Sequence, residues 1–280
     1  MKICFKNSVL ALLLALSFFL APSMALAWPA DADWIPVYRG ADPVDDTLND
    51  AAGSRDIVGD VTTPYPAAYI SNDGTYINYR IRLDDDPLNN PRTQLDPFGW
   101  GFIIDTDQNA DDYEWMIMLD GISEELYLAE NTVKTGVGDP SDKAEVIATP
   151  TWPEAAVLNG NYRVVTADST FNGDTDYFLD FRLNYADFKA ATGITDSTAI
   201  RYFIGSSNSA QTLASDLVAA SDLYSGLSES VLPTGPQPTT GSVKFVADLA
   251  GNGDVTEIYP GDTIYIRVDD ADQNSMASEA

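Results

Sequence analysis

Residues 99–120 read GWGFIIDTDQNADDYEWMIMLD and carry the clearest evidence of the fold class in this sequence. In both halves every second residue is large and apolar, a period of two that is typical of β-strands with one face in a core. The alternating residues are Trp100, Phe102 and Ile104 in the first half and Trp115, Ile117 and Leu119 in the second. We therefore predict two core strands joined by an acidic loop.

The same alternation continues upstream in residues 75–83, TYINYRIRL, where Ile77, Tyr79, Ile81 and Leu83 share one face. The preceding Asn72-Asp73-Gly74 is a hairpin signal that pairs this strand with residues 67–71. Arg80 and Arg82 fall on the opposite face. We expect that face to be exposed, so that ion pairs there contribute little to stability.

Downstream, residues 176–183 and 199–205 predict two more strands. Between them, Asn184 as N-cap and Gly193 as C-terminal stop predict one short helix over residues 185–192. Many strands, one helix and no βαβ rhythm indicate an all-β fold, an antiparallel β-sandwich of jelly-roll-like type.

The chain divides into four predicted segments. Residues 1–27 have the charged start, apolar run and Ala25-Leu26-Ala27 site of a signal peptide, too short for a membrane span. Residues 28–231 form the sandwich, and residues 232–241, LPTGPQPTTG, form a linker. We expect secretion to the extracellular space or cell surface, with the periplasm as an alternative, and no transmembrane segment after cleavage.

Residues 242–280 contain two candidate strands, which are too few to bury a core of their own. Either they begin an incomplete second β-domain, or they pair with a neighbouring subunit, which would allow a homo-oligomer to form through the tail strands.

Composition excludes several functions. The 280 residues contain no His and one Cys, Cys4, which lies in the predicted signal peptide, so His-based catalytic triads and His-ligated metals are excluded. The net charge of −28 opposes binding to nucleic acid. Such self-repulsion favours a bound cation, and calcium is the one that carboxylate-rich exported proteins commonly use.

The strongest candidate for a calcium site is the acidic loop at residues 105–114, DTDQNADDYE, which lacks the Gly and Glu positions of an EF-hand. Oxygen ligands at alternating loop positions can converge on one hard cation. The alternative is a solvated acidic turn. A second D-x-D-Q-N occurs at residues 270–274. The predicted ligands are Asp105, Asp107, Asn109, Asp111, Asp112 and Glu114, with Asp270, Asp272 and Asn274 in the second copy.

Asp84-Asp85-Asp86 at the end of the arginine-bearing strand offers a further choice. These acids could bind a separate ion or simply terminate the strand, and we favour termination.

Five tryptophans are candidates for stacking on sugar rings. Trp100 and Trp115 are in phase with the core. Trp34 and Trp152 are the predicted ligand-binding residues, although Trp152 in the loop TPTWP could equally anchor that loop.

The order of these motifs, from Asp45-Asp46 and residues 54–60 (SRDIVGD) through FGWGFIIDTD to DYEW, resembles the family-nine carbohydrate-binding modules and related DOMON-like sandwiches over about residues 35–210. That resemblance implies a sandwich with structural calcium in secreted bacterial surface proteins or polysaccharide-degrading enzymes. Residues 268–274, VDDADQN, are similar to the strand end of Asp-rich β-repeats in large bacterial surface proteins.

These observations predict a secreted, calcium-stabilised, non-catalytic module that binds a glycan. A structural or filament-forming subunit is the alternative, with the neighbouring surface-protein subunit as its partner. A glycoside-cleaving enzyme is third, because carboxylates are abundant but no pair can be identified from spacing.

Overall fold

The computed structural model describes residues 27–63, 65–89, 91–148, 160–234, 242–247, 255, 263 and 265–269. The predicted signal peptide lies almost wholly outside these residues, as does most of the predicted linker. The described residues divide into two units: residues 27–33, in which Asp31–Asp33 form a 3-10 turn, and those from Trp34 onward. No helix among the described residues has the length and apolar character needed to cross a membrane.

The second unit is built almost entirely of β-strands. In chain order its elements are β1 (Ile35–Pro36), β2 (Tyr38–Arg39), β3 (Asp42–Pro43), β4 (Ala68–Asn72), β5 (Tyr76–Leu83), β6 (Gly99–Asp105), β7 (Trp115–Asp120), β8 (Glu125–Glu130), β9 (Val146–Ile147), β10 (Tyr162–Thr166), β11 (Tyr177–Asn184), α1 (Tyr185–Thr192), β12 (Arg201–Ser207), β13 (Asp216–Leu217), α2 (Leu223–Gly226), β14 (Ser242–Val246) and β15 (Tyr265–Asp269).

Two antiparallel sheets form the sandwich, which confirms the predicted all-β class. One has the strand order β1-β4-β5-β11-β10, and the other has β13-β12-β6-β7-β8-β9. The predicted hairpin is present, with Ile70 opposite Tyr79. Two two-stranded sheets, β2-β3 and β14-β15, complete the described part.

The core lies between the two large sheets, as the alternation predicted. Tyr79 of the first sheet packs against Phe102 of the second, with ring centroids 4.9 Å apart, and Phe181 and Tyr202 join them. All four side chains are fully buried. Burial of aromatic surface on this scale is the main source of stability in a sandwich without disulfides.

Helix α1 begins and ends as predicted. The side chain of Asn184 accepts hydrogen bonds from the backbone N–H groups of Ala186 and Asp187, and Gly193 closes the helix in the left-handed conformation at φ 72°. The short helix α2 was not predicted from the sequence. Its four residues are capped by Asp222, which accepts from the Ser225 backbone N–H.

The outer face of the five-stranded sheet differs from expectation. Arg80 and Arg82 are 3% and 0% exposed rather than solvated. Arg80 donates to both carboxylate oxygens of Asp180 on β11, at 2.7 and 2.9 Å, and its guanidinium lies over the rings of Trp34 and Phe178. The prediction of an exposed face was wrong because covering side chains from other segments enclose it.

Candidate metal centres

Part of the predicted acidic loop converges. Asp105 ends β6, and the loop returns to β7 at Trp115. One carboxylate oxygen each from Asp105, Asp107 and Glu114 lies within 4.8 Å of the other two. Asp105 is fully buried, whereas Asp107 is exposed. Three of the predicted ligands are thus brought together at one end of β6.

Backbone donors already hold this loop. The Asp105 carboxylate accepts from the N–H groups of Asp107 and Gln108, at 3.1 and 2.8 Å. The Asp107 carboxylate accepts from Asn109 N–H, and the Asn109 side chain accepts from Asp111 N–H. Side-chain-to-backbone turns of this kind account for the alternation of Asp and Asn without invoking a metal.

Cationic side chains also reach the loop. Arg201 on β12 donates its Nε to Asp105 Oδ2 at 2.7 Å, and Lys134 donates to Asp112 and Glu114, both at 2.9 Å. Burial raises the pKa of Asp105 above its ordinary value, and the Arg201 contact opposes that rise. Much of the positive charge that an ion would bring here is supplied by the protein itself.

The remaining predicted residues do not join this group in the described structure. Asp112 pairs with Lys134, and Asp111 accepts a hydrogen bond from the Tyr224 hydroxyl. Trp152 and the second copy, Asp270, Asp272 and Asn274, lie outside the described residues. Their roles stay predictions.

Trp34 is placed differently from a sugar platform. Its side chain is 6% exposed, and the Arg80 guanidinium lies 4.3 Å from its ring centroid. Stacking on a sugar ring needs an open aromatic face. The burial of Trp34 therefore argues against the predicted ligand-binding role.

A second carboxylate cluster, which spacing did not reveal, joins Asp46, Asp50 and Asp216, again with oxygens within 4.8 Å. Asp46 and Asp216 are 8% and 4% exposed. Asp46 Oδ1 accepts from the N–H groups of Thr47 and Ala219, and Asp216 Oδ2 accepts from Ile57 N–H at 2.7 Å. Asp46 Oδ2, however, is buried without a hydrogen-bond donor.

A third cluster joins Asp84, Asp174 and Asp176. Asp84 is 8% exposed and Asp176 is fully buried. Asp84 Oδ2 accepts from the side-chain amide of Asn172 at 3.3 Å, whereas Asp84 Oδ1 is buried without a donor. Both Asp176 oxygens lie 3.1 Å from the Phe171 backbone nitrogen.

Asp56 lies between the second and third clusters. Its two carboxylate oxygens accept from the N–H groups of Asn49 and Ala51, at 2.8 and 3.1 Å, and its backbone oxygen accepts from Asp84 N–H at 3.0 Å. The Asn49 side chain also contacts that of Asn172, in the loop that carries Asp174. The two clusters therefore belong to one network of loops at the sandwich edge.

The electrostatics of these clusters follow from burial. The pKa of Asp84 is raised to about 6, mainly by desolvation and in addition by the neighbouring charges of Asp174 and Asp56. Burial likewise raises the pKa values of Asp46 and Asp216, which face each other and could hydrogen-bond only if one of them held a proton. Among the described residues, no cationic side chain forms an ion pair with any of the six acids of the second and third clusters.

The sequence held only weak signals for these clusters. The run Asp84-Asp85-Asp86 allows either an ion ligand or a strand end, and the sequence alone favours the strand end. Asp46 and Asp216 are 170 positions apart, and only the pairing of β13 with β12 brings Asp216 to this edge. Groups with only oxygen ligands fit a hard cation such as calcium. A bound cation would also give a partner to the two buried carboxylate oxygens that accept no hydrogen bond, Asp46 Oδ2 and Asp84 Oδ1.

Comparisons with models of protein families, with curated proteins and with solved structures found no match to this chain. The resemblance to family-nine carbohydrate-binding modules stays a prediction based on the motifs alone.

Proposed function

We propose that this chain is a secreted, non-catalytic β-sandwich module that uses calcium as a structural ion and binds a glycan at the cell surface or in the extracellular space. The observation that carries the calcium part is the buried carboxylate network at the sandwich edge. It contains two carboxylate oxygens, Asp46 Oδ2 and Asp84 Oδ1, that have no donor. A buried charge without a partner is costly, and a divalent cation would offset that cost.

A calcium titration tests the structural ion. Any ligand that binds only the native state stabilises it, by about 2.7 kcal/mol at a concentration of 100 Kd. We expect millimolar calcium to raise the Tm of the purified protein by roughly 5–10 °C relative to excess chelator. A matched magnesium titration is the control, because magnesium demands a stricter octahedral geometry. Equal Tm values in calcium and chelator would contradict the proposal.

The support for glycan binding is one exposed aromatic residue next to polar groups. Tyr224 is 59% exposed, and its ring lies against Gly138, where an added Cβ would sit 2.4 Å from Tyr224 Cε2. Its hydroxyl donates to Asp111, and Asp222 and Ser225 lie in the same turn. A supported aromatic face with neighbouring acceptors suits a sugar ring, whose C–H groups stack while its hydroxyls donate.

A glycan array probed with the wild-type protein tests this part, and Tyr224→Ala is the informative variant. We expect glycan binding that the variant loses while its Tm changes little. Phe245→Ala is a matched control because Phe245 is the other exposed aromatic of the described part, at 44% exposure. An array without a binder would contradict the glycan part of the proposal and leave the calcium part standing.

The second candidate function, an assembly subunit, is favoured by the tail. Strands β14 and β15 pair with each other, Val243 opposite Val268, as a separate two-stranded sheet. Such a sheet is marginal alone and can extend across a subunit boundary. Sedimentation velocity over a range of protein concentrations would show association if the tail donates strands, and a monomer at all concentrations would count against this function.

A further inference from the structure

We propose that the sandwich edge binds a pair of calcium ions, one held by Asp46, Asp50 and Asp216 and the other by Asp84, Asp174 and Asp176, with Asp56 between them. This inference rests on the proposed calcium-stabilised function and assigns its ions to residues. It moves the main site away from the loop at residues 105–114.

The donor set defines the ligand class. Each cluster offers three carboxylates within 4.8 Å, and His and Cys are absent from the part of the chain involved. Calcium accepts six to eight oxygens at 2.3–2.6 Å in irregular geometry, whereas transition metals favour nitrogen or sulfur ligands. Carboxylates on separate loops, with backbone carbonyls and waters to complete the shell, therefore fit calcium best.

Buried carboxylate oxygens without a hydrogen-bond donor distinguish these clusters from an ordinary acidic surface. Asp46 and Asp84 are each more than nine-tenths buried, and each keeps one carboxylate oxygen that no N–H group or hydroxyl group donates to, while its other oxygen is engaged. Only a protonated Asp216 could donate to that oxygen of Asp46. Each also belongs to a cluster in which two further carboxylates come close. An oxygen buried among like charges and left without a donor is the position that a cation ligand occupies.

The predicted loop contrasts with both clusters. Its Asp105 pairs with Arg201 and its Glu114 pairs with Lys134, so two of its three clustered carboxylates already have a cationic partner. The six acids at the sandwich edge have no such ion pair among the described residues. An added cation therefore gains most at the edge, where no cationic side chain of the described residues pairs directly with the clustered carboxylates.

Ion binding at this edge would join segments that are far apart in the chain. Asp46 and Asp50 precede the first long strand, Asp84 directly follows β5, Asp174 and Asp176 precede β11, and Asp216 begins β13. The first ion would link the loop that carries Asp46 and Asp50 to the six-stranded sheet. The second would link β5 to the loop before β11 within the five-stranded sheet.

Three variants test the assignment. Asp46→Asn and Asp84→Asn each remove one charge but keep an oxygen for the existing backbone or amide donor. Asp107→Asn is the matched control in the predicted loop. Isothermal titration with calcium, together with Tm measured in calcium and in chelator, gives the stoichiometry and the stabilisation for each variant. We expect two ions for the wild type, one for each edge variant and two for the control.

A second readout separates a lost ion from a damaged fold. In chelator, Asp46→Asn and Asp84→Asn should melt at or above the wild-type temperature, because each removes a buried repulsive charge. In calcium, each should lose about half of the wild-type Tm rise. If Asp46→Asn does not fold, the exposed ligand is tested instead with Asp50→Asn, with the same expected loss of one ion.

Four results would overturn the assignment. Edge variants that keep two ions, or a control that loses one, would place calcium elsewhere and leave the calcium-stabilised function intact. A wild type that binds one ion would overturn the pair. A wild type with no calcium binding at all would remove the calcium part of the proposed function together with this inference.

Discussion

Asp180 illustrates how one residue on the covered outer face contributes to stability. Its carboxylate is fully buried and accepts from Arg80 at 2.7 and 2.9 Å and from Arg163 at 2.7 Å. Removing one partner of a buried ion pair leaves the remaining charge desolvated and uncompensated. We expect Asp180→Asn to lower the free energy of unfolding by about 3 kcal/mol, measured by urea denaturation.

Asp168→Asn is the control, because Asp168 is 68% exposed and the buried Arg82 keeps its hydrogen bonds to the Pro66 carbonyl, Ser169 and Tyr69 without it. Exposed partners gain little from pairing, so this loss should be below about 1 kcal/mol. Equal losses in the two variants would contradict the argument from burial. Sequence alternation placed Arg80 and Arg82 on the correct face, but a period of two cannot show whether that face is covered.

At the scale of single elements, helix α1 is the one most completely predicted from sequence. Asn184 supplies the acceptor for two N-terminal N–H groups, at 3.0 and 3.2 Å. We expect Asn184→Ala to lower the free energy of unfolding by about 1 kcal/mol, the usual cost of a lost N-cap. Asn184→Asp keeps the acceptor and should restore most of the stability. An alanine variant as stable as wild type would show that the cap is unimportant here.

The strands show where prediction from sequence succeeds and where it fails. The long core strands β5, β6, β7 and β11 were recognised because their alternating apolar residues record a local property, the face that each side chain occupies. The two carboxylate clusters at the sandwich edge were missed because they depend on strand register and loop position. Asp84 and Asp176 meet only through the pairing of β5 with β11, in which Leu83 lies opposite Tyr177.

For the whole molecule, the raised pKa values at the sandwich edge predict an unusual dependence of stability on pH. The folded-state pKa of Asp84 is about 6 against an ordinary value of 3.8, so between these values the folded state binds more protons than the unfolded state. By linkage, stability then falls as the pH rises through that range. Asp46 and Asp216 contribute in the same direction.

In chelator, we therefore expect the free energy of unfolding to fall between pH 5 and pH 7.5, by roughly 1 kcal/mol from Asp84 alone. Acids whose pKa values are lowered, such as Asp142 and Asp196, lose their contribution only at lower pH and do not cancel this slope. Calcium should compete with protons for the same oxygens and reverse the order, making the protein most stable near neutral pH. Urea denaturation at the two pH values, with and without calcium, measures both slopes. Asp84→Asn should reduce the slope in chelator by the contribution of Asp84, since an amide cannot titrate, and an unchanged slope would mean that other groups control it.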